Sequence, residues 1–144
     1  MFAGSHQVRI DEKGRLAIPA GLRRQLPEGS YISLGQDRVL AIYPPDQWEL
    51  LVNNLQDPLL GEAERTLARA LFSSAVGCEF DAQGRVMLSP RQRTILGVAA
   101  PASVAVIGNG AHVEIWSSER WEGYSEDAVD RFTELADKVV AGHD

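Results

Sequence analysis

The chain has 144 residues, of which 44% are hydrophobic and 24% charged. This balance is typical of a folded globular protein, and the length suits one ordinary domain or two very small ones, which excludes a wholly disordered chain. No apolar segment is long enough to span a bilayer, and the first residues lack the basic stretch and apolar core of a secretory signal. We therefore expect no association with a membrane and no export.

The inventory of reactive side chains argues against catalysis and metal binding. Cys78 is the only cysteine, which excludes an internal disulfide and is typical of the reducing cytoplasm. The three histidines are scattered and give no zinc-ligand set, and neither a phosphate-binding loop nor a dinucleotide fingerprint is present. We expect no enzyme, no metal, no cofactor and no small-molecule substrate.

Charge is distributed unevenly along the chain. Residues 1–26 contain five basic and two acidic residues, a net charge of +3, whereas residues 119–144 contain eight acidic and three basic residues, a net charge of −5. The whole-chain charge of −6, taken alone, argues against nucleic acid. The distribution predicts a basic N-terminal patch and an acidic C-terminal segment, although ordinary surface scatter would also produce such an asymmetry.

The first half of the chain predicts a strand, a tight turn and a return strand. Val8 and Ile10 alternate with polar residues, as in a half-buried strand, and in the turn Asp11 can bond backbone N–H groups while Gly14 accepts a positive φ. The elements predicted next are a strand over residues 15–18, a helix over 20–26, strands over 31–34 and 39–43, and a helix over 45–55.

The second half predicts the same order of elements after an amphipathic connecting helix over residues 61–74. Ser89 is a good N-cap, and Gln92 three residues later completes a capping-box pattern. The predicted elements are a strand at residues 79–80, a turn over 81–84, a strand over 85–88, a short helix from 90, strands over 103–107 and 112–116, and a final helix from 118 to about 140.

These two halves are an internal repeat. The pattern Asp-x-x-Gly-Arg at residues 11–15 recurs at 81–85, and a glycine turn, a strand ending in an aromatic residue and a tryptophan at 35–48 recur at 108–121. Because about 70 residues with four short strands bury little core, we expect the halves to interleave into one domain. Its expected parts are a first repeat over residues 1–60, a connecting helix over 61–76, and a second repeat with the C-terminal helix over 77–144.

The duplicated motif has two interpretations. In one, the aspartate and glycine build a turn and the arginine pairs with a carboxylate, such as the aspartate of the other hairpin. In the other, a pseudo-twofold axis places Arg15 and Arg85 outward as neighbours, where their planar forks suit phosphate oxygens and the O6/N7 edge of guanine. A two-stranded ribbon can enter a major groove of DNA. The candidate cationic surface consists of Arg9, Lys13, Arg15, Arg23, Arg24 and Arg85, with Arg91 and Arg93 beside them.

Two other groups of residues have competing interpretations. Asp11 and Asp81 could form a carboxylate pair for acid–base chemistry, but turn capping explains each of them. Aromatic residues recur at matched places in the two halves, where packing in the core competes with stacking on nucleic-acid bases. They are Tyr43, Trp48, Trp116 and Trp121.

The chain resembles the MraZ family, bacterial regulators whose gene heads the division and cell-wall cluster, and its halves resemble SpoVT/AbrB-type DNA-binding units. The matching motifs cover nearly the whole chain. They lie at Met1–Gly4, residues 11–20, residues 35–48, residues 81–85 and residues 114–124.

The resemblance implies an α+β fold, a pseudo-twofold swapped-hairpin (AbrB/MraZ-like) β-barrel with flanking helices that assembles into a ring-shaped homo-oligomer. It also implies a cytoplasmic, nucleoid-associated transcriptional regulator that represses its own operon by binding short direct repeats in double-stranded promoter DNA. It assigns the primary DNA contacts to Lys13, Arg15 and Arg85. It assigns the shaping of the loops to Asp11, Gly14, Asp81 and Gly84.

The chain departs from the family pattern at two places, and two other functions stay open. Gly21 and Leu22 stand where the family often has Lys-Phe, and Gln83 stands where the first hairpin has Lys13, so each departure removes a positive charge. One alternative is a ring-forming interaction scaffold whose loops pair with acidic residues of neighbouring subunits. The other is an enzyme that acts through Cys78 or His6.

Overall fold

The computed structural model describes residues 1–143, which form eight strands and six helices. The elements of the first half are β1 (Ser5–Ile10), β2 (Arg15–Ala17), α1 (Ala20–Arg23), β3 (Tyr31–Leu34), β4 (Leu40–Tyr43) and α2 (Pro45–Asn54). The remaining elements are α3 (Glu62–Ser73), β5 (Val76–Gly77), β6 (Arg85–Met87), α4 (Pro90–Leu96), β7 (Ala102–Asn109), β8 (His112–Ser117), α5 (Ser118–Asp130) and α6 (Phe132–His143). The predicted α+β class is confirmed.

Strands from the two halves of the chain pair with one another. The main sheet is antiparallel and has the order β1-β7-β8-β4-β3-β5, so that β1 of the first half pairs with β7 of the second and β5 of the second pairs with β3 of the first. The second sheet is a two-stranded ribbon formed by β2 and β6, one strand from each half. Most of the long-range backbone pairing therefore joins one half to the other.

The main sheet is open, which corrects the expectation of a closed barrel. Among residues 1–143, the edge strands β1 and β5 do not pair with each other. One reason is length, because β1 has six residues whereas β5 has only two and forms a correspondingly short ladder with β3. The ladder therefore ends at β5 and does not continue round to β1.

The main sheet packs on both of its faces. On one face the ribbon residues Leu16 and Val86, which lie opposite each other, are buried against Val104, Val113 and Ile115 of the sheet. The other face carries a smaller cluster, against which α5 packs. That cluster consists of Val39, Ala105, Ile107 and Trp116, with Trp121 beside them. The ribbon and α5 therefore lie on opposite sides of the sheet.

The largest differences between the predicted and the observed helices and strands lie in three places. Helix α1 ends at Arg23, and the chain continues to Leu26 in tighter turns before Pro27, a residue type that disfavours helix in the residue before it. The strand predicted at residues 79–80 is β5 instead, where pairing with β3 lets Cys78 enter the core. The final helix is interrupted at Arg131, where φ is −97° and ψ is 8°.

The capping box at the start of α4 is confirmed. The Oγ of Ser89 accepts a hydrogen bond from the backbone N–H of Gln92 at 3.1 Å, and the backbone N–H of Ser89 donates to the Oε1 of Gln92 at 2.8 Å. These two bonds satisfy donors that a helix start leaves free, so the position of α4 is set locally. None of the helices in the described chain has the length and apolar character needed to cross a membrane.

Candidate nucleic-acid interface

The two Asp-x-x-Gly-Arg loops have the same internal hydrogen bonds. In the first loop, the Oδ1 of Asp11 accepts from the backbone N–H groups of Lys13 and Arg15, both at 2.9 Å. The Oδ2 of Asp11 accepts from the Nε of Arg15 at 2.8 Å. In the second loop, Asp81 accepts the equivalent bonds from Gln83 and Arg85 at the same distances. Each aspartate therefore closes its turn and also holds one edge of a guanidinium group.

The hydrogen bonds within the loops keep the two aspartates ionised. The backbone N–H of Arg15 is the main influence that lowers the pKa of Asp11, although desolvation opposes it. The pKa of Asp81 is lowered in the same way by the backbone N–H of Arg85. At neutral pH each loop therefore has an ion pair of fixed geometry, because a carboxylate that accepts several N–H bonds prefers its charged form.

Each loop is bonded to the opposite repeat through its glycine. Gly14 has a φ of +87° and Gly84 a φ of +74°, and both are buried. The backbone N–H of Leu88 donates to the carbonyl of Gly14 at 2.8 Å, and that of Ile18 donates to the carbonyl of Gly84 at 3.2 Å. The positive φ favours glycine, and the contact with the other repeat leaves no room for a side chain.

The ribbon brings the two motif arginines to one exposed face. Arg15 lies opposite Met87, and Ala17 lies opposite Arg85, so all four side chains share the face that points away from the core. The two arginines are diagonal neighbours across the pair of strands, and in such pairs the Cα atoms are typically about 7–8 Å apart. The Nη1 of Arg85 also lies 4.0 Å from the Oδ2 of Asp11, which links the two loops directly.

The arginines keep donors available for a ligand. In Arg15 the Nε is bonded to Asp11, whereas the two terminal nitrogens have no hydrogen-bond partner in the described chain, and 29% of the side chain is exposed. In Arg85 the Nε is bonded to Asp81, and the Nη2 donates a long bond of 3.3 Å to Gln83. The aspartates therefore orient the guanidinium groups without using all of their donors, as recognition of a phosphate or a guanine edge requires.

The two loops border concavities of different charge. The first, of about 360 Å³, has a net charge of +1. It is lined by Arg9, Asp11, Glu12, Lys13, Arg15 and Pro101. The second, of about 240 Å³, is lined by Arg15, Glu79, Asp81 and Arg85 among others and has no net charge. Sequence reasoning missed Glu79. The repeat offset of 70 makes Glu79 the equivalent of Arg9, so aligning the two repeats could have revealed the difference in charge between the two loops.

The other candidate arginines lie in two different environments. Arg24 and Arg91 are exposed, whereas Arg23 and Arg93 are half-buried. The Nη1 of Arg23 donates to the carbonyl of Ile18 at 2.9 Å. The equivalent bond from Arg93 reaches the carbonyl of Leu88 at 3.2 Å. The sequence predicted one cationic surface, and within it the structure separates exposed charges from charges that are packed against the loops.

The matched aromatic residues pack within the protein and are absent from the contacts of Arg15 and Arg85 in the described chain. Trp116 is buried and contacts Trp121 with ring centroids 5.2 Å apart, on the sheet face opposite the ribbon. In the first half Trp48 stacks on Tyr31 at 4.8 Å and meets the edge of Phe72. These contacts favour the core interpretation over that of a stacking platform for bases.

The geometry gives the enzyme alternative little support. Cys78 is buried, and burial raises the pKa of its thiol to about 11, so the reactive thiolate is scarce at neutral pH. His6 is exposed on the edge strand β1, and His112 contacts Glu114 at 3.0 Å on a different face from the loops. In residues 1–143 no three His, Cys, Asp or Glu side chains form a group suited to a metal ion.

Replacement of Gly14 by alanine is expected to destabilise the protein. The new Cβ would lie 2.7 Å from the carbonyl oxygen of Leu88 and would have to accept a φ of +87°, which together should cost at least about 1–3 kcal/mol. Gly21 is a matched control, because a Cβ there meets no atom within 4 Å and no positive φ is required. Urea unfolding of Gly14→Ala and Gly21→Ala measures the free energy of unfolding of both variants. Equal stability of the two would contradict the loop conformation described for residues 11–15.

The loop aspartates should make stability depend on acidic pH. Because folding lowers their pKa values, the aspartates stabilise the fold above the unfolded value of about 3.9, and this contribution is lost as pH falls through the folded values. The wild type should therefore exceed the double variant Asp11→Asn, Asp81→Asn in unfolding free energy near neutral pH and approach it as pH falls through the folded pKa values of the aspartates. Denaturant unfolding over a pH series tests this, and a difference that is constant with pH would oppose it.

Comparison with known proteins identifies the family. The family model described as "MraZ protein" matches the chain twice, over residues 1–70 and 71–140. Proteins named "Transcriptional regulator MraZ" are similar over nearly their full length. That of Heliobacterium modesticaldum is 40% identical, with 97% of each chain covered, and those of Parafrankia sp. and Kineococcus radiotolerans are 37% and 38% identical, with 99% covered. This chain therefore belongs to the MraZ family.

Proposed function

We propose that this protein is a sequence-specific DNA-binding transcriptional regulator that acts in the cytoplasm on the nucleoid. In this proposal it binds short direct repeats in the promoter of its own division and cell-wall operon and represses that operon. The relatives' printed names support the regulatory class. The domain would be a single interleaved unit of two SpoVT/AbrB-like repeats, an open form of the swapped-hairpin barrel.

The observation that carries the proposal is the pair of oriented arginines on the ribbon. Arg15 and Arg85 share one exposed face, and each is held through its Nε by an ionised aspartate. A guanidinium group whose orientation is fixed before binding loses less conformational entropy when it forms a bidentate contact. Lys13 and Arg9 border the same concavity as Arg15 and would supply further positive charge for phosphates, as would Arg23 and the exposed Arg24.

The placement of charge explains how an acidic chain can approach DNA. The ribbon lies on one side of the main sheet, and the acidic helix α5 packs on the other. The sheet therefore separates the two charge clusters, and the repulsion that reaches the DNA is reduced by distance and by salt, since screening is strong beyond about 10 Å. The net charge of −6 thus describes the whole chain and not the face that would bind DNA.

An oligomer would compensate for the small size of this face. One subunit offers two arginine loops and few other cations, so a single contact should be weak. Apolar side chains on the C-terminal helices are exposed, as expected for a surface that another subunit covers. They are Val129, Phe132, Val139 and Val140. A ring-shaped homo-oligomer of this chain would present several ribbons to successive DNA repeats.

Substitution of Arg15 tests the proposed contact. Arg15→Ala should weaken binding to the DNA directly upstream of the gene that encodes this protein. The expected loss is about 1–3 kcal/mol per site, the value of a bidentate base contact. Stability should change by no more than about 1 kcal/mol, because the ion pair with Asp11 is partly exposed. Arg85→Ala should have a smaller effect on binding, since Glu79 and Gln83 leave the second loop less positive.

A charge-matched control separates contact from net charge. Arg69→Ala removes one positive charge from an exposed position of α3, outside the loops and the C-terminal helices, and should leave DNA affinity unchanged. Fluorescence anisotropy with labelled promoter DNA gives the affinities. If Arg15→Ala binds as the wild type does, Arg15 is not a DNA contact.

The number of DNA repeats tests the oligomeric proposal. Because each later contact within an assembly is intramolecular, DNA with three repeats in phase should bind roughly 10²–10⁴ times more tightly than DNA with one. The salt dependence should exceed that of one subunit, since each neutralised phosphate adds about 0.9 to the slope. Affinity is measured against repeat number and salt, and mass by light scattering. A monomeric mass, or equal affinity for one repeat and three, would rule out this account.

The scaffold alternative predicts a different result from the same experiment. In that case the loops would meet acidic residues of neighbouring subunits, and Arg15→Ala would change the oligomeric mass while promoter DNA produced no anisotropy change even with the wild type. DNA binding by the wild type with an unchanged mass for Arg15→Ala supports the regulator.

A further inference from the structure

Arg23 and Arg93 occupy equivalent places in the two repeats. Arg23 is the last residue of α1, and Arg93 lies in the last turn of α4. Each Nη1 donates to the carbonyl of the residue that directly follows the strand before its own helix, Ile18 in the first repeat and Leu88 in the second. The guanidinium groups are therefore anchored within their own repeats.

Each guanidinium group also lies against the loop of the opposite repeat. A Cβ placed on Gly14 would collide with the guanidinium of Arg93, and a Cβ placed on Gly84 would collide with that of Arg23. The backbone bonds cross in the same sense, because Leu88 donates to the carbonyl of Gly14 and Ile18 donates to that of Gly84. A strand end and an arginine of one repeat thus hold the glycine of the other between them.

The chemistry of arginine suits this position. A planar guanidinium group can lie flat against a glycine while one of its nitrogens donates a hydrogen bond to a carbonyl. A lysine ammonium group is not planar and has donors on only one nitrogen. Both arginines are half-buried, in contrast to Arg24 and Arg91, which follow or precede them by one or two residues and are exposed. Arg23 and Arg93 are therefore placed to support the loops, whereas Arg24 and Arg91 face solvent.

We infer that Arg23 and Arg93 are positioning residues of the DNA-binding face, each of which fixes the arginine-bearing loop of the opposite repeat. This inference rests on the proposed function for its consequence, namely that Arg93 orients Arg15 and Arg23 orients Arg85. Neither loop would then take its binding form without the other repeat in place.

Hydrogen exchange of the free, full-length protein tests the crossed relation. In Arg93→Met, the backbone N–H groups of residues 13–15 should exchange about fivefold faster or more, as expected from the loss of roughly one hydrogen bond, while those of residues 83–85 stay unchanged. In Arg23→Met the pattern should be reversed. The matched controls are Arg91→Met and Arg24→Met, which remove the same charge from exposed positions and should change neither loop.

A milder variant and a binding measurement complete the test. Arg93→Lys keeps the charge and should accelerate exchange in the same loop by a smaller factor, so a folding failure of Arg93→Met does not prevent the measurement. In DNA binding, Arg93→Met should weaken affinity about fivefold more than Arg91→Met, with a melting temperature within a few degrees of it.

The possible outcomes distinguish this inference from the proposed function. Faster exchange in the opposite loop alone supports the inference, even if the wild type binds no DNA and the proposed function fails. Faster exchange in the loop of the same repeat, in both loops equally or in neither would overturn it. Equal DNA affinity of Arg93→Met and Arg91→Met, in a wild type that binds DNA, would overturn the positioning role.

Discussion

Two backbone hydrogen bonds between the repeats support the whole candidate interface. The N–H of Leu88 reaches the carbonyl of Gly14, and that of Ile18 reaches the carbonyl of Gly84. Both glycines must adopt a positive φ to present these carbonyls, and both are buried at the point of contact. These bonds lie directly beside the two turns with their internal ion pairs and continue the pairing of β2 with β6. A folded binding face thus requires both halves at once.

Much of the local structure could be predicted from the sequence, because local chemistry determines it. The turns at residues 11–14 and 81–84, the buried position of Leu16 and the capping box at Ser89 each depend on residues within a few positions of each other. Family membership and the mixed fold class followed from motifs that extend over the whole chain.

The features that sequence reasoning missed depend on contacts between distant residues. No local signal places β5 at Val76 instead of residue 79, because pairing with Ile32 decides the register. The helix is interrupted at Arg131 although residues 127–134 contain neither proline nor glycine, the residue types that would predict a break. Arg23 and Arg24 are adjacent and chemically identical, and only the position of the opposite loop distinguishes the half-buried residue from the exposed one.

Joining two repeats in one chain frees them to diverge. A dimer of identical subunits has two equal reading heads related by a true twofold axis, and its natural target is a palindrome. Here the two loops are unequal, since the first has Arg9 and Lys13 where the second has Glu79 and Gln83. In the proposed complex the protein would therefore have a defined direction along the DNA axis. That direction would match direct repeats, and it comes from four side chains on two loops that share the same internal hydrogen bonds.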